Sequence, residues 1–113
     1  MQAGGYRFDP GILHENKKRM YFVYIIQSLV DNNYYTGYTS DLKKRLERHN
    51  SGYSKATKKR KPLELVYCES FQNKNEAIKR EYFLKGKVGG PTKRSLVETF
   101  PKDELKRYLE LIR

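Results

Sequence analysis

Residues 21–50 constrain the fold of this chain most, because a strand pattern, a turn, a second strand pattern and a helix pattern follow one another there. The run from Tyr21 to Ser28 is aromatic and β-branched, which is typical of a largely buried strand. The Asp-Asn-Asn sequence of residues 31–33 favours a turn, and a second strand is predicted from Tyr34 to Thr39. A β-hairpin that leads into a helix is therefore predicted.

The rest of the chain adds a third strand and further helices to this hairpin. Ser40 is predicted to cap the first helix, because a serine side chain accepts a hydrogen bond from a free backbone N–H. A strand is predicted at residues 63–71, followed by a helix that Gly86 ends and by a break at residues 89–91. Two shorter helices are then predicted, near residues 92–98 and 101–113. The order β-β-α-β-α predicts an α+β fold, in which helices flank a small three-stranded sheet and one or two more follow at the C-terminal end.

At 113 residues the chain is predicted to form one small domain. Residues 1–19 show neither the strand period nor the helix period, and they are predicted to be a flexible N-terminal extension to a domain at residues 20–113. Two interpretations of the extension stay open. One places the natural start at Met20, directly before the first strand pattern, and the other is a basic tail that contacts nucleic acid.

The charge of the chain predicts an anionic partner. Its 24 Lys and Arg residues outnumber its 13 Asp and Glu residues, and the net charge of +11 suits nucleic acid, an acidic membrane surface or an acidic protein. No run reaches the roughly 18 apolar residues that a membrane span requires, and no apolar signal-peptide segment begins the chain. The single cysteine, Cys68, cannot form an internal disulfide and is predicted to fill space in a strand. A cytoplasmic location is therefore expected.

Much of the charge is concentrated in residues 41–62, a segment called the basic band below. Asp41 and Glu47 are its only acidic residues. Its small residues Ser54, Ala56 and Thr57 favour a close approach of nucleic-acid backbone, whereas a solvated charged surface is the alternative interpretation. The cations predicted to bind nucleic acid are Lys43, Lys44, Arg48, Lys55, Lys58, Lys59, Arg60 and Lys61.

The first predicted helix places two polar residues on its apolar side. With the period of an α-helix, Arg45 and His49 share the stripe that Leu42 and Leu46 define. A guanidinium on the side that faces the core is costly unless it has a partner or borders a cleft. Phosphate binding is one interpretation, because the planar fork of an arginine bonds two oxygens at once. An arginine that extends to the rim, beside a structural histidine, is the other.

The second predicted helix carries a carboxylate in the same kind of position. Glu81 lies on the apolar side, with Ala77 and Leu84. A carboxylate aimed at the core requires a metal ion, a cationic partner or a raised pKa. An ion pair with Arg45 and a site for Mg²⁺ are both open interpretations, and the chain lacks the Cys/His cluster that would suit zinc.

Five positions of the chain together resemble the GIY-YIG nuclease superfamily. They are Tyr24 in the sequence VYI, the YTG sequence of residues 35–37, Arg45, His49 and Glu81. VYI stands where the family has GIY, and YTG stands where it has YIG. The second tyrosine follows the first by eleven positions, the arginine follows by ten more, and the histidine by another four. The resemblance covers about residues 20–87.

The resemblance implies hydrolysis of a phosphodiester by water with one divalent ion, Mg²⁺ or Mn²⁺. It implies that Glu81 holds the metal and that Arg45 stabilises charge on the phosphoryl oxygens. Tyr24 or Tyr35 would deprotonate or orient the attacking water, with His49 assisting. Because a free tyrosine has a pKa near 10, this role requires a nearby cation or metal.

Gly37 and Tyr38 directly follow the YT pair of the second motif. The resemblance implies that Gly37 leaves room for substrate backbone and that Tyr38 either lines the cleft or is an ordinary strand aromatic. A tight turn between the strands would place Tyr24 opposite Tyr38, with Tyr35 on the other face of the sheet. Joint action of Tyr24 and Tyr35 would require a longer turn or a bulge, and the sequence leaves both registers open. The chain departs from the family after the metal-binding glutamate, where members carry an asparagine and this chain has none after residue 75.

The resemblance, together with the charge of the chain, implies a metal-dependent endonuclease that acts on DNA rather than RNA, in DNA repair or recombination, with a recruiting protein as a further partner. A nucleic-acid-binding module of the same fold, with little or no cleavage, is the alternative. A third interpretation is a basic protein-interaction domain, in which the tyrosines are core residues and the charge meets an acidic partner.

Overall fold

The structure of the chain is a computed structural model, which describes residues 19–53, 55, 57–86 and 89–112. The predicted N-terminal extension lies outside the described residues, apart from Arg19. The elements are the strands β1 (Tyr21–Ser28), β2 (Tyr34–Thr39) and β3 (Leu63–Phe71), and the helices α1 (Leu42–Asn50), α2 (Lys74–Lys85), α3 (Gly89–Thr99) and α4 (Lys102–Leu111). The predicted α+β fold with a three-stranded sheet is confirmed.

The sheet has the order β2-β1-β3, and β1 pairs antiparallel with both neighbours. Tyr24 lies opposite Gly37, and Ile26 lies opposite Tyr35. Opposed residues share a face of the sheet, and so do alternate residues of one strand, so Tyr24 and Tyr35 lie on the same face. The register that a tight turn would give, with Tyr24 opposite Tyr38, is therefore not the one that forms.

The length of the turn explains this register. Residues 29–33 separate β1 from β2, which makes the turn longer than a two-residue hairpin loop. Asn32 takes a positive φ of 63° there, and its N–H donates to the carbonyl of Ser28 at 2.9 Å. Because strand side chains alternate between faces, a shift of one residue moves the whole of β2 to the other face. The longer turn thus brings the two motif tyrosines together.

Helices cover both faces of the sheet. The larger apolar cluster joins Tyr24 and Ile26 of β1 to Leu42 and Leu46 of α1, and it includes Tyr108 of α4. The neighbouring residue on β1, Val23, points to the opposite face and packs in a second cluster. That cluster holds α2 against the sheet through Phe71, Ala77 and Leu84. The helices α1 and α2, which carry the candidate site residues, are each anchored to the sheet by buried apolar contacts.

Asp41 rather than Ser40 caps α1, which corrects the predicted cap by one residue. The Asp41 carboxylate accepts a hydrogen bond from the backbone N–H of Lys44 at 3.1 Å. The backbone N–H of Asp41 in turn donates to the hydroxyl of Thr39 at 3.0 Å. An aspartate serves as well as a serine at this position, and its charge also favours a helix N-terminus.

The predicted break at residues 89–91 is instead the first turn of α3. A proline is tolerated in a first turn, because the N–H groups there have no partner within the helix. Gly86 ends α2 as predicted, and its N–H donates to the carbonyl of Phe83 at 3.2 Å. Across the part of the chain that the structure describes, no helix is both long and apolar enough to cross a membrane.

Cys68 lies on β3 opposite Tyr24 and is completely enclosed. Burial raises the pKa of the Cys68 thiol well above its usual value, so the thiol stays neutral. This environment agrees with the prediction that Cys68 fills space in a strand.

Candidate active site

Helix α1 brings His49 against the buried end of Tyr24. The Tyr24 hydroxyl oxygen lies 3.0 Å from Nε2 of His49, and the two rings meet edge to face with centroids 5.9 Å apart. Both side chains are buried, Tyr24 at 2% and His49 at 8% exposure. A phenol and an imidazole in direct contact and shielded from water can exchange a proton without an intervening solvent molecule.

Arg45 lies one helical turn before His49 and reaches the same hydroxyl. Its guanidinium donates to the Tyr24 oxygen at 3.4 Å, and the side chain is half-buried. The prediction that Arg45 and His49 share the inner side of α1 is confirmed. The structure pairs the guanidinium with a neutral phenol, which leaves the positive charge of Arg45 available to an anion.

The second ring nitrogen of His49 contacts Thr57, a residue of the basic band. The Thr57 hydroxyl lies 2.8 Å from Nδ1 of His49. Thr57 is only 1% exposed, so it cannot offer the close contact with nucleic-acid backbone that its small size suggested. Its companions in that interpretation, Ser54 and Ala56, lie outside the described residues. We call Tyr24, Arg45, His49 and Thr57 the polar cluster.

The environment keeps Tyr24 and His49 of the polar cluster neutral. Burial lowers the pKa of His49 below its ordinary value of 6.5, and the charge of Arg45 lowers it further. Burial also raises the pKa of Tyr24 above 10, and this effect exceeds the opposing influence of Arg45. At neutral pH the histidine is therefore an unprotonated base, and the tyrosine is a protonated phenol.

Gly37 provides the space that the Tyr24 ring occupies. A Cβ atom at residue 37 would lie 2.7 Å from Cζ of Tyr24, and closer still to the hydroxyl oxygen. The expectation that Gly37 leaves room for substrate backbone is corrected, because this space holds the phenol of the neighbouring strand. The absence of a side chain at Gly37 lets Tyr24 extend toward α1.

We expect Gly37→Ala to destabilise the fold by about 1–3 kcal/mol, the usual cost of overpacking a buried site. The added methyl group must displace the Tyr24 ring and with it the contact to His49. Urea-induced unfolding measures the change in the free energy of unfolding. Gly86→Ala is the matched control, because its nearest neighbour would lie at an ordinary 3.5 Å. Equal stabilities for the two variants would contradict this role of Gly37.

Tyr35 and Tyr38 lie on opposite faces of β2. Tyr35 shares the face of Tyr24 and packs, half-buried, against the larger apolar cluster. Tyr38 packs against the second cluster with Val23, which makes it a strand aromatic beneath α2. Of the two residues, Tyr35 alone therefore shares the sheet face of the polar cluster.

Glu81 of α2 pairs with a lysine of its own helix. Its carboxylate lies 2.9 Å from Nζ of Lys85, one turn further along. Glu81 therefore pairs with Lys85 and not with Arg45, as one interpretation of the sequence had proposed. A glutamate four residues before a lysine is a favourable spacing for an ion pair on a helix. The negative charge of Glu81 contributes to the raised pKa of Tyr24, so the carboxylate acts on the polar cluster through space.

The Glu81 carboxylate is the kind of ligand that suits a divalent ion of the Mg²⁺ type. Within the described ranges, no group of three or more His, Cys, Asp or Glu side chains could hold a metal ion, which excludes a zinc-like cage there. Mg²⁺ keeps several waters and binds through one or two carboxylates. The Glu81 side chain is 16% exposed and its partner Lys85 is 55% exposed, so an incoming cation can replace the lysine.

Lys93 of α3 is a cation near Lys85 that the sequence analysis did not identify. It is half-buried, and burial followed by the charge of Lys85 lowers its pKa. The fold therefore brings Lys93 of α3 within electrostatic reach of Lys85, the residue that pairs with Glu81. No sequence signal indicated this position, because residues 89–91 were predicted to be a break and the packing of α3 on α2 is a long-range contact.

The cations predicted to bind nucleic acid lie at the surface. All eight are exposed, namely Lys43, Lys44, Arg48, Lys55, Lys58, Lys59, Arg60 and Lys61. Arg48 also stacks over the exposed ring of Tyr53, 5.1 Å from its centroid. An exposed aromatic ring under a guanidinium beside several lysines is a suitable surface for a nucleic acid.

The end of the basic band is fixed to the β1–β2 turn. The Ser28 hydroxyl donates to the carbonyl of Arg60 at 2.6 Å, and the Arg60 side chain pairs with Asp31 at 3.0 Å. The N–H of Leu29 donates to the carbonyl of Pro62 at 2.9 Å. These contacts fix the C-terminal end of the basic band, at Arg60 and Pro62, against the end of β1 and the turn that follows it.

The sequence matches the GIY-YIG catalytic domain over residues 20–94. It is 47% identical over 66 residues to the UPF0213 protein YazA of Bacillus subtilis, an alignment that covers 58% of this chain and 66% of that protein, just under two thirds. It is 44% identical over 93 residues to the UPF0213 protein YsiG of Lactococcus lactis, covering 80% of this chain and 88% of that protein. The solution NMR structure of the UPF0213 protein BH0048 of Bacillus halodurans shares 34% identity over 78% of this chain and 95% of that chain, with a TM-score of 0.49.

Proposed function

The chain belongs to the GIY-YIG family, and from this membership together with the geometry of the polar cluster we propose that it is a metal-dependent endonuclease that hydrolyses DNA phosphodiester bonds. The observation that carries the proposal is the contact of one buried phenol, Tyr24, with both Arg45 and His49. Glu81 lies within electrostatic reach of that phenol. A proton acceptor, an anion-binding guanidinium and a carboxylate are the groups that phosphodiester hydrolysis by water requires.

Tyr24 and His49 together accept the proton of the attacking water. In the proposed step, an O–H bond of water breaks and its proton passes to the Tyr24 oxygen, while the phenolic proton passes to Nε2 of His49. The phenol remains neutral at the end of the step, and the histidine becomes an imidazolium. Tyrosine alone is a poor base at pH 7, but a relay to His49 uses a group whose lowered pKa leaves it unprotonated there.

Arg45 and Glu81 act on the phosphate in this proposal. Arg45 stabilises the charge that develops on the phosphoryl oxygens, since its guanidinium already borders the phenol that receives the water proton. Glu81 would hold one divalent ion, Mg²⁺ or Mn²⁺, which polarises the phosphate and stabilises the leaving oxygen. Tyr35, on the same sheet face as Tyr24, would orient the water.

The exposed cations of the basic band would bind the backbone of the substrate. Their contacts with phosphates give an affinity that depends strongly on salt and little on sequence. We propose DNA rather than RNA as the substrate, a role in DNA repair or recombination, and a protein partner that recruits the domain. A cytoplasmic location is part of the same proposal, and it agrees with a single, buried, unpaired thiol.

A non-catalytic module that binds nucleic acid is the second candidate. The observation that favours it is the state of the site: the Tyr24 phenol is protonated and Lys85 neutralises Glu81. Binding through the exposed lysines of the basic band needs neither group. For such a module, affinity falls with salt and with the loss of Lys58 and Lys59, whereas substitution of Arg45 or Glu81 has no effect on it.

A cleavage assay with metal exchange tests the proposed function. Plasmid, branched, flapped and single-stranded DNAs are incubated with the purified protein in Mg²⁺, in Mn²⁺ and in excess EDTA. We expect cleavage of at least one substrate with either ion, its loss in EDTA, and its return when the ion is restored in excess, since a single carboxylate binds metal reversibly. Salt-dependent binding without metal-dependent cleavage of any substrate would favour the binding module instead.

A further inference from the structure

We propose that Thr57 is a positioning residue for the reaction, because its hydroxyl holds the His49 ring in the form that accepts a proton from Tyr24. This inference rests on the proposed nuclease function, which supplies the proton to be accepted. Thr57 is not one of the motif residues of the family, and it is not among the cations predicted to bind nucleic acid. Its contact with Nδ1 of His49, at 2.8 Å, is shorter than either hydrogen bond of the Tyr24 hydroxyl.

Burial separates Thr57 from the rest of its loop. Its described neighbours Lys55, Lys58 and Lys59 are exposed, whereas Thr57 is 1% exposed. A threonine within a run of lysines would be solvated if the loop only presented charge. Here the loop turns one hydroxyl inward, and the partner of that hydroxyl is the histidine of the polar cluster.

Two directions of these hydrogen bonds fit the contacts, and the proposed one makes the Tyr24 hydroxyl the donor to His49. A guanidinium only donates, so the Tyr24 oxygen accepts from Arg45 and can offer its own proton to His49. In this arrangement Nε2 carries a lone pair, and the single proton of the neutral imidazole lies on Nδ1. That N–H donates to the Thr57 oxygen, which accepts it. The opposite tautomer would donate from Nε2 to Tyr24 and leave no base behind the phenol.

A hydroxyl suits this place better than a carboxylate. When His49 takes a second proton, both ring nitrogens become donors, and the Thr57 oxygen goes on accepting from Nδ1. A carboxylate there would stabilise the imidazolium and raise the pKa of His49. Burial lowers the pKa of His49, and the positive charge of Arg45 lowers it further. Thr57 therefore orients the ring without converting it to a cation at neutral pH.

The backbone around Thr57 is held in a turn. Its carbonyl accepts from the N–H of Arg60 at 2.9 Å, and the carbonyl of Arg60 accepts from the Ser28 hydroxyl at 2.6 Å. The hydroxyl that faces His49 is thus carried by a segment fixed to the β1–β2 turn. The exposed residues Lys58 and Lys59 directly follow Thr57 in the sequence. One short turn therefore connects His49 to the surface that would bind phosphates.

The first test reads the tautomer of His49 in the wild-type protein, through the ¹⁵N chemical shifts of its ring nitrogens by NMR. We expect a protonated Nδ1 and an unprotonated Nε2 at pH 7.5. A protonated Nε2 would overturn the proposal. This measurement needs no cleavage, so it separates failure of the positioning role from failure of the nuclease proposal.

The second test compares Thr57→Val, which keeps the shape of the side chain and removes the hydroxyl, with Thr57→Ser, which keeps the hydroxyl. We expect Thr57→Val to mix the two tautomers, to slow metal-dependent cleavage about tenfold, and to move the acid limb of the pH–rate profile to lower pH. That shift follows because the imidazolium loses an acceptor for its Nδ1–H. Thr57→Ser should restore the wild-type tautomer, rate and profile.

The control for the NMR signals is Thr36→Val, because the Thr36 hydroxyl is buried and has no hydrogen-bond partner among the described residues. It removes a buried threonine hydroxyl without removing a hydrogen bond, so the His49 signals should stay as in the wild type. Signals and a pH–rate profile of Thr57→Val that match the wild type would overturn the positioning role.

Discussion

Replacing Glu81 with glutamine is expected to slow metal-dependent DNA cleavage by about 1,000-fold, or roughly 4 kcal/mol of activation free energy. The amide keeps the size of the side chain and removes the charge that would hold a divalent ion. Glu81 is the carboxylate whose charge reaches the Tyr24 phenol, and no cluster of three potential ligands accompanies it among the described residues. Among the described residues, no cluster of acidic side chains would therefore replace Glu81 as the metal ligand.

The variant should remain folded, because Glu81 contributes little to stability. Its pair with the exposed Lys85 is an i,i+4 pair within one helix, a type of contact worth roughly 0.2–0.5 kcal/mol. Far-UV circular dichroism and thermal unfolding check this directly. Binding of Mn²⁺, followed by its paramagnetic resonance signal, should weaken in parallel with cleavage.

Glu76→Gln is the matched control for this experiment. Glu76 lies on the same helix, in its first turn, and is exposed. We expect wild-type cleavage and wild-type Mn²⁺ binding from this variant. If Glu81→Gln cleaves as fast as Glu76→Gln, the assignment of the metal to Glu81 is wrong.

The bounds of the strands could be predicted from local sequence because the signals are local. Aromatic and β-branched runs between turn residues mark β1 and β3, and the structure has both at the predicted positions. The helical period correctly placed Arg45 and His49 on the inner side of α1. Such inferences need only neighbours a few residues away, which is why they succeed.

The pairing between elements could not be obtained in the same way. Turn length decides the register of β2 against β1, and the sequence of the turn is compatible with more than one length. The contact of Thr57 with His49 depends on the path of a loop rich in lysine, where no periodicity marks an inward side chain. Glu81 had two cations available to it, and the choice of Lys85 over Arg45 depends on how α2 lies against the sheet.

Arg45→Lys is expected to lower kcat by about 100-fold while KM changes little. The lysine keeps a positive charge near Tyr24 and His49, so the directions of their pKa shifts should persist. It loses the planar fork, which lets a guanidinium bond two oxygens of a phosphoryl group at once. A loss confined to kcat would indicate that the fork acts in the transition state rather than in binding the ground state.

The geometry of the polar cluster makes this substitution more informative than removal of the side chain. Arg45→Ala would also remove the hydrogen bond to the Tyr24 hydroxyl and leave space beside a buried phenol. Its effect on rate would therefore combine lost catalysis with a disturbed contact between Tyr24 and His49. Arg45→Lys leaves that contact in place, so the change in kcat reports on the guanidinium itself.

Arg48→Lys provides the comparison within the same helix. Arg48 is exposed and stacks on Tyr53, away from the Tyr24 hydroxyl, so any effect of its substitution should appear in KM. Single-turnover cleavage with saturating enzyme separates the chemical step from binding for both variants. If Arg45→Lys and Arg48→Lys alter KM alone and by similar amounts, Arg45 belongs to the cation surface that binds DNA and takes no part in the chemical step.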